Sequence, residues 1–232
     1  MRTLPPAQRP CIHHIKGRIT FKTCTNRYLC GNCEFDQYFY DEYTVHAMVT
    51  PVLQSEVRGF KVPQGYYLHN GHAWARIEEG SSVRIGIDDF ALKVLGPLDR
   101  LEAPLIGKLL RQGKPHIEAY RGERKARFLS PLSGVVTAVN PKFREGGGLS
   151  EKDPYSDGWV MTLHPQDLRK EIKNLMIAQQ SVDFLEKETD RLYEMIEGIF
   201  PLAADGGCLG KDLFGAMPQL GWKRLTRIFL RA

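Results

Sequence analysis

The sequence predicts an α+β protein, in which a β-domain of short strands follows a small cysteine-rich module and precedes a long helix. Three observations carry this expectation. Residues 60–164 alternate short apolar runs with turns containing Gly and Pro, the pattern of an all-β domain. Residues 166–197 contain no Gly or Pro and are dominated by helix formers. Four of the five cysteines, Cys11, Cys24, Cys30 and Cys33, fall within a span of 23 residues near the N-terminus. The 232 residues divide accordingly into a cysteine-rich segment at 1–44, a β-domain at 45–164, a helix at 165–198 and a helical tail at 199–232.

Within the β-domain, residues 73–77 and 82–87 flank a polar turn and read as a hairpin. Residues 88–95 read as one or two helical turns, with Asp88 as the N-cap and Gly96-Pro97 as the stop. Residues 116–120 and 126–129 flank a turn centred on Gly122, and 134–140 and 158–163 are two further strands. Pro165 suits a helix start, where its missing N–H is not needed. Leu168, Ile172, Leu175, Val182, Leu185, Leu192 and Ile196 then recur at helical spacing, which predicts one continuous helix over 167–197, roughly 45 Å long. Its apolar stripe serves either as core packed across the β-domain or as a surface for a partner. In the tail, Trp222, Leu225, Ile228 and Phe229 share one helical face, with Lys223, Arg224, Arg227 and Arg231 on the others. A basic amphipathic helix can lie on a membrane or enter a partner's groove; at about ten residues this one is short for stable anchoring, and packing back on the body is expected.

The 32 basic and 27 acidic residues are interspersed, and the net charge of +5 is mild. The densest basic run, from Arg121 to Arg127, is short and contains Glu123, which reads as a solvated loop rather than a nucleic-acid stripe. No apolar run reaches the ~18 residues that a spanning helix needs. Residues 1–10 have no apolar core, so a secretory signal is not expected and the chain reads as cytoplasmic. No Gly-x-Ser-x-Gly element occurs, and Gly146-Gly147-Gly148 is not followed by the Lys-Ser/Thr of a phosphate loop. The seven histidines are dispersed. These observations point away from an enzyme.

Cysteine spacing points to a metal. In Cys30-Gly31-Asn32-Cys33 two intervening residues let both thiolates face one ion, and Cys11 and Cys24 complete a tetrahedral set. His13 or His14 in place of Cys11 gives a set of three cysteines and one histidine. Lys16, Arg18, Lys22 and Arg27 stand among these residues and offset thiolate charge. Zinc is the expected metal. An iron–sulfur cluster, a thiol–disulfide pair at Cys30 and Cys33, and buried unliganded thiols are the alternatives. Cys208, beside Gly206 and Gly207, is expected to be unliganded.

A family resemblance spans residues 65–164. His72-Ala73-Trp74, the run from Gly86 to Ala91, Leu95-Gly96, the run from Ser130 to Gly134, Val139-Asn140, Asp153-Pro154-Tyr155 and Gly158-Trp159 keep the order and approximate spacing of matching motifs in the H protein of the glycine cleavage system. Each motif is short; together they are specific. The resemblance implies a lipoyl-domain-like β-sandwich, the barrel-sandwich hybrid, with His72 in a structural role. It also implies a lysine at a hairpin tip that carries lipoate on an amide. A swinging arm needs an exposed root, and a hairpin tip supplies one.

The sequence departs from the family at that tip. Counted forward from Ile117-Glu118, the lysine position falls on Arg121; counted backward from Ser130-Pro131, it falls on Glu123. Between them stands Gly122, and the nearest lysine, Lys125, lies on the returning strand. Arginine is no substitute, because its guanidinium stays protonated and does not attack an acyl group. The expectation is therefore a scaffold without lipoate that docks a larger enzyme or electron-transfer assembly. The alternatives are a lipoyl carrier modified at Lys125, or a redox module built on the cysteines.

Overall fold

In the computed structural model, residues 9–15, 19–30, 33–36, 52–78, 82–141, 153–199 and 210–232 are described. Cys208, the three glycines at 146–148, the Gly-rich turn at 203–207, and Lys16 and Arg18 lie outside them. The chain forms two units, Met1–Pro51 and Val52–Ala232.

In the first unit a single helical turn, α1 (Ile12–Ile15), follows an antiparallel bridge between Pro10 and Thr23. The Cys11 N–H donates to Lys22 C=O and the Cys24 N–H to Arg9 C=O, each at 2.6 Å. Among the described residues of this unit, Cys11 and His13 alone are buried.

The second unit is built on antiparallel sheets. A hairpin pairs β1 (Gln54–Val57) with β2 (Phe60–Pro63). β3 (Tyr67–Leu68), β4 (Ala73–Ile77) and β5 (Val83–Ile87) follow, and the last two form the expected hairpin. Asp88 caps α2 (Asp89–Leu95) by accepting from the Ala91 N–H at 2.9 Å, and Gly96 ends it at φ +74°. Next come β6 (Arg100–Glu102), β7 (Leu109–Leu110), β8 (Pro115–Arg121), β9 (Arg124–Leu129), β10 (Gly134–Val139) and β11 (Trp159–Pro165). A late strand, β12 (Met176–Ile177), closes one edge, so that the large sheet runs β12-β3-β4-β5-β11-β10-β7 and a smaller one β6-β8-β9.

The motifs that carry the family resemblance turn out to be scaffolding. The Trp74 indole N–H donates to the carbonyls of Ile87 and Pro154, each at 3.1 Å. Gly86 lies under the same ring, where a Cβ would come within 2.3 Å of it. Tyr155 donates to Lys61 C=O at 2.8 Å and accepts from the Asp89 N–H at 3.1 Å. Asn140 bonds the carbonyls of Asp157 and Trp159 at 3.0 and 2.7 Å. Each polar atom so satisfied avoids the penalty of burial without a partner.

The expected continuous helix is interrupted. α3 (Leu168–Glu171) runs into a tight turn at Ile172–Asn174, the chain then pairs as β12, and α4 (Gln179–Glu197) begins afresh. The reason is tertiary. Met176 and Ile177 pair with Leu68 and Tyr67 at the sheet edge, and those ladder bonds outweigh a helical preference that is only tenths of a kcal/mol per residue. The remaining 19-residue helix is about 28 Å long. Ser181, Leu185, Glu188, Thr189, Leu192, Met195 and Ile196 form its buried face, so the stripe serves as core. The tail packs back on the same unit. α5 (Leu213–Ala216) and α6 (Trp222–Leu225) lead into a wider-wound turn at Thr226–Leu230, with Trp222, Leu225, Phe229 and Leu230 buried.

Candidate functional site

The hairpin of β8 and β9 projects the position at which the family places its lysine. Arg121 pairs with Arg124 and closes the turn, so the tip is Gly122-Glu123. Gly122 supplies the turn at φ +55°, and its N–H donates to Asp99 Oδ2 at 2.5 Å. Lys125 sits one step down the returning strand, opposite Tyr120. Its ammonium is bound to Glu118 Oε2 at 2.6 Å and lies over the Tyr120 ring. The Glu118 hydrogen bond raises the lysine's pKa, and the same bond lowers that of Glu118. Lys125 is thus a cation held on the sheet face and not at the tip.

Arg121 does not point freely into solvent. Its Nη1 donates to Asp212 Oδ1 and to Leu95 C=O, both at 2.6 Å, and its Nη2 to Asp212 Oδ2 at 2.8 Å. The guanidinium holds Asp212 below the usual carboxylate range, against a smaller opposing effect of burial. Asp212 also caps α5 through the Gly215 N–H at 2.8 Å. Phe214 lies beneath the guanidiniums of Arg121 and Arg124, 5.3 and 5.2 Å away, and edge-on to Trp222. The Trp222 indole then donates to Lys125 C=O at 2.8 Å. The C-terminal tail therefore clamps the hairpin on both strands.

A second cluster lies inside the unit. His72 is fully buried, with Nδ1 2.8 Å from Asp88 Oδ2 and Nε2 3.4 Å from Glu188 Oε2, and its ring stacks on Phe90. Burial lowers its pKa, but Asp88 and Glu188 outweigh that and raise it overall. Burial raises the pKa of Glu188, and His72 and Arg231 more than reverse this. Glu188 also receives Arg191 at 3.0 Å and Arg231 at 2.7 Å. One charged network thus ties the β-domain, α4 and the C-terminus together. His69, buried beside Arg231, is pushed down to about 4, chiefly by desolvation.

Sequence reasoning missed Asp212, Glu188 and Arg231. Asp212 was legible as an N-cap before an apolar turn, and Glu188 as an acidic residue at a core position of a periodic stripe; their partners were not.

The expected metal ligands all line one small cavity in the N-terminal unit, together with His13, Lys22 and Asp36. None of Cys11, Cys24, Cys30 and Cys33 is disulfide-bonded. Desolvation, the charge of Asp36 and the other three thiols raise the pKa of Cys30. His13 Nε2 lies 2.7 Å from Asp36 Oδ1, and His14 Nδ1 lies 3.3 Å from Ile19 C=O. Among the described residues, however, no three His, Cys, Asp or Glu side chains stand in an arrangement that holds a metal ion. The four cysteines thus line one cavity, and their side chains do not stand as a closed ligand set.

Among the described residues no helix is long and apolar enough to cross a membrane. Residues 66–188 match the family described as Glycine cleavage H-protein. A probable glycine cleavage system H protein from Thermococcus kodakarensis is 35% identical over 130 residues, covering 56% of this chain and 96% of that protein. A glycine cleavage system H protein from Anoxybacillus flavithermus is 33% identical over 119 residues, covering 51% and 92%. A crystal structure of a glycine cleavage system H protein from Mycobacterium marinum aligns at a TM-score of 0.46 and 23% identity, over 53% of this chain and 97% of that one. With over half of the chain matched, and with Trp74, Gly86, Asn140 and Tyr155 doing the structural work described above, the protein is a member of the glycine cleavage H-protein family.

Proposed function

We propose that this protein is a non-enzymatic H-type scaffold that does not carry lipoate and acts by docking a larger enzyme or electron-transfer assembly in the cytoplasm. The family itself consists of carriers that work with partner enzymes. The observation that supports the departure is the tip: Arg121, Gly122 and Glu123 occupy it, and Arg121 is engaged by Asp212 and Leu95 C=O. An arm rooted on Lys125 would start from the sheet face, from an ammonium already paired with Glu118.

A docking role is supported by exposed apolar surface at the root of the hairpin. Leu105 and Ile106, between β6 and β7, and Leu109, at the start of β7, are exposed, and water-facing apolar groups of this size are worth covering. Beside them lies a groove of about 400 Å³, lined by Leu105, Lys108, His116 and Glu118.

Denatured intact mass of the chain purified from its own host tests the reading. A bare mass is expected. A lipoyl adduct mapped to Lys125 sinks the scaffold reading and makes this chain a carrier. Pull-down with the wild-type chain and with Leu105→Asp tests docking; a partner retained equally by both removes the groove from the proposal.

A further inference from the structure

We propose that the N-terminal unit is organised by one zinc ion held by the thiolates of Cys11, Cys24, Cys30 and Cys33. The inference is independent of what the hairpin carries.

The backbone delivers the four thiols to one place. The bridge at Pro10 and Thr23, with its flanking bonds at Cys11 and Cys24, sets those two residues on adjacent antiparallel segments. The Cys33 N–H donates to Cys30 C=O at 2.9 Å and closes a turn that carries the other pair. The Tyr28 N–H donates to Cys24 Sγ at 3.2 Å. That bond supports a thiolate, and the turn that makes it holds Arg27 and Tyr28 at φ +50° and +64°, a conformation that non-glycine residues rarely adopt. All four cysteines line a cavity of about 20 Å³. A space of that size holds one ion or one water.

Among the unit's described residues Cys11 and His13 alone are buried, while Ile15, Phe21 and Leu29 are 62, 65 and 63% exposed. Metal binding supplies folding free energy directly, and a cysteine set that lines one cavity is where it would do so. Rotation of the cysteine side chains toward the cavity forms the tetrahedral set. Each thiol releases its proton to solvent as its sulfur binds, so four protons leave for one Zn²⁺. The product carries a net charge of −2, and Lys22, on the cavity wall, offsets part of it.

Native and denatured masses of the full chain, purified without chelator, provide the first test. The native mass is expected to exceed the denatured one by a single zinc. Cys24→Ser and Cys33→Ser should each abolish that difference, and Cys208→Ser should keep it. Because a ligand variant can simply unfold, the wild-type chain is also stripped and titrated with Co²⁺. Thiolate-to-cobalt charge-transfer absorption saturating at one equivalent is expected. Equal native and denatured masses with no such absorption overturn the proposal. So do visible iron–sulfide absorption in the purified chain and a Cys30–Cys33 disulfide found by mass mapping.

Discussion

Arg121, the last residue of the hairpin's outgoing strand, grips Asp212, 91 positions later, with two parallel bonds of 2.6 and 2.8 Å. A planar guanidinium matches a carboxylate in this way and an ammonium does not. The outgoing strand of the hairpin thus ends in a clamp to the C-terminal tail.

Asp212→Ala removes both bonds and the cap on α5. The expected loss of stability is about 1–2 kcal/mol, the scale of hydrogen bonds to charged groups. Hydrogen exchange should quicken across 210–231 and 115–129 before it changes in β4 and β5. Denaturant unfolding combined with exchange mass spectrometry checks both. Uniform exchange across the unit would mean that the pair holds nothing locally.

Gly96 leaves room for that clamp. It sits at φ +74°, and a Cβ built on it would lie 2.0 Å from Asp212 Oδ1. Gly96→Ala should therefore destabilise by about 2 kcal/mol, from backbone strain and displacement of the carboxylate. In the background of Asp212→Ala the same change should cost less, because the nearest obstructing group has gone and Arg121, whose Nη1 lies 2.4 Å from the built Cβ, is released to move. A double-mutant cycle measures the difference.

The buried histidines give opposite pH signs. His72 has a raised folded pKa, so its contribution is fully present below its unfolded value near 6.5 and is lost as pH rises through the folded value. His69 has a folded pKa lowered to about 4, so its contribution is present above 6.5 and falls away as pH drops toward 4. Stability should therefore peak near pH 6.5. His69→Gln should flatten the acid limb by up to about 3 kcal/mol, and His72→Gln should flatten the alkaline limb, both read from urea midpoints across pH. Glu188, whose pKa is lowered, adds to the acid loss.

Ala178 joins β12 to α4 at φ +50° and ψ −121°. Glycine adopts such a conformation without a Cβ clash, so Ala178→Gly should stabilise the chain by about 1 kcal/mol despite its greater unfolded-state freedom. Thermal unfolding decides the sign.

A lysine can be restored at the end of β8. Arg121→Lys combined with Asp212→Ala frees an amine beside the tip. Co-expressed with a lipoate-attaching enzyme, the variant should gain a lipoyl adduct at residue 121 while the wild-type chain stays bare. Denatured mass and peptide mapping read both outcomes.

Much of the β-domain was legible residue by residue. The apolar runs at 73–77 and 82–87, either side of a polar turn, became β4 and β5, and Asp88 and Gly96 bounded α2 as their capping chemistry requires. The single helix expected over 167–197 was not legible as two, because the sequence around Met176 and Ile177 carries no breaker; the partner strand at Tyr67-Leu68 decides it. Lys125 was visible as the nearest lysine, but its pairing register and its bond to Glu118 were not.

Local chemistry alone determined the hairpins of β4–β5 and β8–β9, the strands β10 and β11, the caps of α2, the missing lysine at the tip and the spacing of the cysteines, because each depends on residues within a few positions of one another. The tertiary structure alone decided that Asp212 meets Arg121, that Glu188 meets both His72 and Arg231, and that the tail covers the hairpin. Those partners are tens to more than a hundred residues apart, and a charged residue's own neighbours do not say which opposite charge it will meet when water is excluded.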